Sequence, residues 1–175
     1  MQTQTPVAEH DVAPSLVREL IAEQHPDLAG ETVSLLDEGW DNFMFRVGKS
    51  HIACLRRREV AVALLENEQS WLPRLADSLP LPIPAPLRVG RPGCGFPWPW
   101  SLVPWLPGEA ADLHPPSSEQ AEVFADFLLA LHQPAPPDAP ENLSRGVNFS
   151  EKLEIVRGRL DRLTGVVDLP AEKLL

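Results

Sequence analysis

Apolar side chains recur along the chain with two different periods, which separates predicted helices from predicted strands. Residues 14–24 carry Leu16, Val17, Leu20 and Ile21 at helical spacing, and His25-Pro26 ends that pattern. Three strand-like runs follow at residues 32–36, 43–47 and 51–56, with hairpin-like turn residues before the last of them. The pattern predicts one amphipathic helix followed by an antiparallel meander.

Helical periodicity returns over residues 60–75, where the apolar positions are Ala61, Leu64, Leu65, Leu72 and Leu75. We expect this face to be buried and the helix to pack on the sheet. The proline-rich residues 80–86 predict an extended path, because proline restricts its own backbone and that of the residue before it. Two more strands are predicted at 87–90 and 100–106, which gives a sheet of five.

The rest of the chain has a helical pattern. Ser117 is a predicted N-cap with Gln120 three residues on, and the apolar face that follows consists of Ala121, Phe124, Leu128 and Leu131. Further helices are predicted over 150–163 and from 170 onward. The pattern therefore predicts the α+β class, with sheet and helices first and helices alone afterwards.

Amino-acid composition argues against several classes of function. A chain of 175 residues with 43% hydrophobic content can bury a core, and a net charge of -10 argues against nucleic-acid binding. Cys54 and Cys94 are too few for a disulfide framework or a four-cysteine zinc site, so a reduced, cytoplasmic protein is expected. No apolar run approaches the roughly 20 residues of a membrane-spanning helix, and we expect no membrane partner.

Glu68 falls on the same helical face as Leu65 and Leu72. An unpaired buried carboxylate costs several kcal/mol, so this position indicates a nearby cation or a functional role, with Arg56 and Arg58 as candidate partners. A partly exposed glutamate at the edge of the apolar face, in an ordinary surface pair, fits the pattern as well.

A short loop between two predicted strands reads Gly39-Trp40-Asp41-Asn42. Glycine permits close approach to the backbone, and such a loop can lie over phosphates. A single glycine is weak support, and taken alone the loop is more typical of an ordinary hairpin turn.

A series of short motifs carries a family resemblance. They are Gly39-Trp40-Asp41-Asn42, Glu68-Gln69 with Trp71-Leu72-Pro73, Leu81-Pro82-Ile83-Pro84, Trp98-Pro99-Trp100-Ser101, Trp105-Leu106-Pro107-Gly108-Glu109 and Ala130-Leu131-His132. In order and spacing they resemble aminoglycoside and macrolide phosphotransferases. The resemblance implies a protein-kinase-like fold, with a nucleotide-binding N-lobe at residues 1–108 and an incomplete helical C-lobe at residues 109–175.

The resemblance also implies a site for ATP or GTP with Mg²⁺. Its residues would be Gly39, Trp40, Asp41 and Asn42 over the phosphates, Glu68 paired with a strand cation, and Val103, Trp105 and Leu106 at the hinge. There, backbone N–H and C=O groups would bind the purine edge. Trp98 and Trp100 are expected to pack in the core instead.

One position departs from the family. Cys54 stands where relatives carry the basic residue of the third strand. Because alternate residues of a strand face the same side, Arg56 shares the face of Cys54, and we expect it to reach the phosphates or Glu68 instead.

Kinases of this type need a catalytic Asp in a His-x-Asp loop with an Asn five residues later, and a second Asp for the metal. His25-Pro26-Asp27 lacks that Asn and is interpreted as a helix stop, and Asp126-Phe127 lies inside a predicted helix with Asp126 on its polar side. No catalytic or metal-binding residue is assigned, and we expect both motifs to lie beyond this chain.

Two functions remain open. The favoured one is a truncated phosphotransferase, expected to be inactive by itself, whose complete form transfers the γ-phosphate of ATP or GTP to a hydroxyl of a small molecule. The alternative is a short, non-catalytic protein that binds nucleotide or a partner. An incomplete helical lobe would leave apolar surface uncovered, so self-association is also expected.

Overall fold

A computed structural model describes residues 5–109, 111, 113–140, 150, 152–154 and 156–158. Its contacts divide the chain into two compact units, Met1–Pro134 and Ala135–Leu175. The sheet and the three long helices belong to the first unit. That unit extends past residue 108, and the lobe boundary expected there stays a prediction.

The order of elements follows the predicted one. The helices are α1 (Pro14–Gln24), α2 (Val62–Ala76) and α3 (Ser118–Leu131); the strands are β1 (Val33–Glu38), β2 (Asn42–Val47), β3 (His51–Arg56), β4 (Arg88–Gly90) and β5 (Trp100–Pro104). Short 3-10 turns at Pro26–Leu28 and Glu59–Ala61 follow α1 and precede α2. Proline at the start of α1 and after its end fixes both limits of that helix.

The five strands form one sheet in the order β1-β2-β3-β5-β4, and every neighbouring pair is antiparallel. Cys54 in the central strand β3 lies opposite Met44 of β2 and Ser101 of β5. The α+β fold class and the five-stranded antiparallel sheet that the sequence predicted are confirmed.

One face of this sheet forms the core with α1. Its buried residues are Phe43, Phe45, Val47, Ala53, Leu55, Trp100 and Leu102, and they cluster with Val17, Leu20 and Ile21 of α1. Burying a large apolar side chain contributes roughly 1.5–3 kcal/mol, so this layer is the main source of stability. Trp98 and Trp100 both lie in it, as expected.

Close packing explains Gly90 in β4. A Cβ atom at this position would lie 2.0 Å from Cε2 of the Trp100 ring, which is far inside van der Waals contact. Glycine therefore lets β4 cross directly over the indole.

The face of α2 that is buried is narrower than the sequence predicted. Ala61 and Leu65 are buried, but Leu64 is 42% exposed. Leu64 lies roughly 100° around the helix from Leu65, at the margin of the buried stripe. The prediction that Leu64 is buried is therefore wrong.

The predicted N-terminus of α3 is confirmed, because the backbone N–H of Ser117 donates to Oε1 of Gln120 at 2.7 Å. No residue of α3 is fully buried, and Phe124 is 55% exposed. Helical residues occur at 150, 152–154 and 156–158, within the helix predicted for 150–163; the other residues of that helix and those from 170 onward lie outside the described ones. Within the described part of the chain, each helix is too short or too polar to cross a membrane.

Candidate functional site

The second face of the sheet, together with α2, borders a cleft of about 480 Å³. The lining residues are Asn42, Met44, Ile52, Cys54, Leu65, Glu68, Leu72, Pro84, Pro86, Ser101, Val103, Pro104, Trp105 and Leu106. Pockets of 300–1,000 Å³ with apolar walls and a few polar groups are typical of small-molecule sites. Six of the residues expected from the sequence line it: Asn42, Cys54, Glu68, Val103, Trp105 and Leu106.

Glu68 of α2 and Arg56 of β3 form an ion pair at one end of this cleft. Nη2 of Arg56 lies 2.5 Å from Oε2 of Glu68, and Nη1 donates to Oδ1 of Asn42 at 2.7 Å. Arg56 is 3% exposed and Glu68 is 45% exposed. Glu68 therefore has a cation partner, as one interpretation of the sequence predicted. Its side chain is also partly exposed, as the other interpretation predicted.

Arg58, the other candidate partner, binds elsewhere. Its Nη2 donates to Oδ1 of Asp41 at 2.7 Å. Of these two arginines, only Arg56 therefore connects the Glu68 carboxylate, strand β3 and the loop at residues 39–42.

Cys54 faces the cleft two residues before Arg56 and on the same side of β3. Burial raises the pKa of the Cys54 thiol to about 11, with a smaller opposing effect from the Arg56 charge. At neutral pH this side chain is therefore uncharged. The positive charge on this face of the central strand comes from Arg56.

The loop at residues 39–42 is a tight turn, closed by a hydrogen bond of 2.9 Å from the Gly39 N–H to the Asn42 carbonyl. Asn42 reaches the cleft; Gly39, Trp40 and Asp41 are not among the residues that line it, and Trp40 is 53% exposed. Gly39 does not have a positive φ, and a Cβ there would find only the Asn42 carbonyl oxygen, at 3.8 Å. Glycine at this position is not needed to relieve strain; it keeps the outside of the turn clear.

Arg57 is a residue of this region that the sequence analysis missed. It is 7% exposed, and its guanidinium donates to the Gly39 carbonyl at 2.8 Å and to the Pro6 carbonyl at 3.1 Å. Three successive arginines at the end of a strand were the available signal, because alternation along an extended chain cannot send all three to solvent.

Gln69 is a second residue to which the sequence analysis gave no role. Its Nε2 donates to Oγ of Ser101 at 2.9 Å and to the Trp100 carbonyl at 3.1 Å. Ser101 is 1% exposed. These bonds fix α2 to β5 one residue away from Glu68, so they hold the carboxylate at its distance from β3.

The other end of the cleft lies where the chain leaves β5. The Arg46 guanidinium lies 3.7 Å from the centroid of the Trp105 ring, a cation–π arrangement. The Trp105 N–H donates to the Ser50 carbonyl at 2.8 Å. This amide is therefore already bonded within the protein, and the expectation that other backbone groups of this segment bind a purine edge stays a prediction.

The two sequence motifs set aside earlier have structural partners. The His25 N–H closes the end of α1 on the Ile21 carbonyl at 2.7 Å, and Asp27 accepts two hydrogen bonds from Arg88, at 2.6 and 2.7 Å. Asp126 lies on an exposed position of α3. Among the described residues, no group of His, Cys, Asp and Glu side chains is arranged to hold a metal ion.

Comparison with known proteins places this geometry in a family. The family model described as "Phosphotransferase enzyme family" matches residues 32–171. The chain belongs to this phosphotransferase family. No curated protein sequence matches it.

Solved structures of aminoglycoside phosphotransferases share the fold. The GDP complex of wild-type aminoglycoside 2'-phosphotransferase-IIIa is 20% identical with a TM-score of 0.75, and the match covers 90% of this chain and 55% of that chain. The streptomycin–ATP ternary complex of APH(2")-IIa is 19% identical with a TM-score of 0.63, covering 94% of this chain and 56% of that chain. This phosphotransferase chain thus spans about half the length of the structures that it matches.

These findings confirm the family resemblance and the kinase-like fold that the motifs implied. They leave the individual roles of the cleft residues as predictions.

Proposed function

We propose that the cleft binds ATP or GTP, and that the chain forms the nucleotide-binding part of a phosphotransferase that transfers the γ-phosphate to a hydroxyl of a small molecule, such as an aminoglycoside. The observation that carries this proposal is that Arg56, which is buried and not itself among the lining residues, binds both Glu68 and Asn42, which line the cleft of a phosphotransferase fold. Neighbouring structures that contain GDP or ATP support the nucleotide. A cytoplasmic location is part of the proposal.

In this proposal Arg56 supplies the cation that holds the phosphates, in place of Cys54. An arginine stays charged at any physiological pH and binds phosphate with several N–H groups at once. The Glu68 carboxylate and the Asn42 amide fix two of its nitrogens, and its buried Nε has no partner among the described residues. Arg56 is therefore rigidly placed beside two residues that line the cleft.

The purine would lie at the opposite end of the cleft, against Val103, Trp105 and Leu106. The strand that carries Val103 is fixed by pairing with β3, and the Trp105 ring is held by Arg46. Since the Trp105 N–H is bonded to Ser50, recognition of the purine edge falls to other groups of this segment.

Phosphoryl transfer in kinases of this type uses a catalytic Asp in a His-x-Asp loop and a second Asp for the metal. No His-x-Asp sequence in the 175 residues is followed by Asn at the required spacing, and the described residues contain no metal-binding cluster. We therefore propose that these residues bind the nucleotide without transferring phosphate, and that the ligands for Mg²⁺ lie elsewhere.

The same absence favours a second candidate, a non-catalytic protein that binds nucleotide or a partner through this cleft. The intact mass of the native product distinguishes the two. A mass well above 19.3 kDa supports a phosphotransferase of which this is one part, whereas 19.3 kDa supports a short binding protein.

Titration with ATP and with GTP in the presence of Mg²⁺ tests the proposal. We expect binding by the wild-type chain and a loss of about tenfold to a hundredfold in affinity in Arg56→Ala and in Glu68→Ala, because each removes part of a charged hydrogen-bonded cluster. Arg88→Ala is the matched control, since its ion pair with Asp27 lies outside the cleft lining. No binding by the wild type would refute the function, and unchanged affinity in both cleft variants would refute the assigned roles.

A further inference from the structure

The turn at residues 39–42 is attached to the end of β3 by three consecutive arginines, each through a different residue. Arg56 donates to the Asn42 side chain and Arg58 to the Asp41 side chain. Arg57 donates to the Gly39 main-chain carbonyl. Of the three, Arg57 is the one that holds the backbone of the turn.

Arg57 also ties the turn to the beginning of the chain. Its second guanidinium nitrogen donates to the Pro6 carbonyl at 3.1 Å, and its own carbonyl accepts from the Glu9 N–H at 2.9 Å. Its backbone N–H donates to the Asp41 carbonyl at 3.0 Å. Both the side chain and the main chain of Arg57 therefore connect the turn with residues 6–9.

The charge of Arg57 is balanced differently from that of its neighbours. Arg56 is paired with Glu68 and Arg58 with Asp41, but no carboxylate pairs with Arg57 among the described residues. Its surroundings are two carbonyl oxygens and the face of Phe43, whose ring centroid is 5.0 Å from the guanidinium carbon. A buried cation without a counter-ion is costly, and its field is poorly screened in a low-dielectric surrounding. A bound anion near the turn would reduce that cost.

We propose that Arg57 is a positioning residue for the triphosphate: it holds the turn through Gly39, adds positive potential beneath it, and couples it to residues 6–9. This inference depends on the proposed function, in which the turn covers the nucleotide phosphates. It assigns Arg57 no contact with the purine, so its effect falls on phosphate affinity and not on nucleoside affinity.

The test compares the dissociation constants of ATP and adenosine, or of GTP and guanosine, according to which triphosphate the wild type binds. Arg57→Gln is expected to weaken the triphosphate about tenfold and to change nucleoside affinity less than twofold. Arg57→Lys keeps the charge but cannot span both carbonyls, so it should fall between Gln and wild type. Arg88→Gln, in an ion pair outside the cleft lining, serves as the control and should leave both affinities unchanged.

A merely structural role would weaken nucleoside and triphosphate together, and that result would overturn the inference. Deletion of residues 1–6 removes the Pro6 carbonyl and leaves Arg57 in place, so it decides the matter if Arg57→Gln does not fold. We expect this deletion to lower the triphosphate-to-nucleoside affinity ratio severalfold, and an unchanged ratio would overturn the inference. Absence of triphosphate binding by the wild type would instead refute the function on which the inference depends.

Discussion

The two faces of the sheet are made by alternate residues of the same strands, yet one face is buried within the protein and the other is open. The face toward α1 carries apolar side chains that are buried by the protein itself, such as Phe45 and Leu55. The opposite face carries Asn42, Cys54 and Arg56, and the first two of these line an open cleft. Neighbouring residues of one strand, such as Leu55 and Arg56, should therefore report separately on stability and on binding.

The largest expected effect is in the core. Phe45→Ala removes a fully buried ring and should lower the free energy of unfolding by about 3–5 kcal/mol, measured by chemical denaturation. Met44→Ala, one residue away on the cleft face, should cost less than half as much because its side chain is only partly buried. Equal losses of unfolding free energy in the two variants would contradict the proposed difference between the faces.

A smaller effect is expected from Gly90→Ala. The added methyl group would overlap the Trp100 ring, and overpacking of this kind costs about 1–3 kcal/mol. Chemical denaturation measures the loss, and retention of wild-type stability would mean that β4 moves away from the indole freely.

The raised pKa of the Cys54 thiol predicts that the stability of the fold depends on pH. Its pKa is about 11 in the folded chain, raised by burial from its ordinary value of 9.0. The folded state therefore favours the protonated thiol, so the contribution of this thiol to stability is constant below pH 9 and falls as pH rises from 9 toward 11. The chain contains no tyrosine that would titrate in the same range. In denaturation measured across this range, Cys54→Ala should show a shallower fall than wild type, and identical curves would contradict the shift.

Gly39→Ala is expected to have the smallest effect on stability, within about 0.5 kcal/mol, because the new methyl group meets no protein atom closer than 3.8 Å. Triphosphate affinity should nevertheless fall, since the methyl group occupies the outside of the turn that the glycine keeps clear. Paired denaturation and titration measure the two quantities. A loss of stability with full affinity would reverse the interpretation of this turn.

Proline positions and the spacing of apolar residues explain which features could be predicted from the sequence. Prolines mark both limits of α1, and the combination of strand period and helix period placed Arg56 and Glu68 on facing sides. The spacing of apolar residues shows which side of a helix is buried but not how wide the buried stripe is. The exposure of Leu64 was missed for this reason.

Hydrogen bonds to the backbone carbonyls of distant residues were also missed, for a general reason. Arg57 binds the carbonyl of Pro6, 51 residues earlier, and Trp105 donates its N–H to the carbonyl of Ser50. Every residue has a carbonyl, so such partners leave no mark in the amino-acid pattern. They become visible only when the chain path is known.

The distribution of indole rings gives this protein a built-in optical probe. Trp98 and Trp100 are enclosed in the core, whereas Trp40 is at the tip of the turn and Trp105 is in the cleft beneath Arg46. Fluorescence emission from Trp105 should therefore respond to occupancy of the cleft, while the core pair and Trp71 of α2 supply the background. Variants that keep Trp40 or Trp105 as the single indole would show whether a ligand in the cleft also reaches the turn.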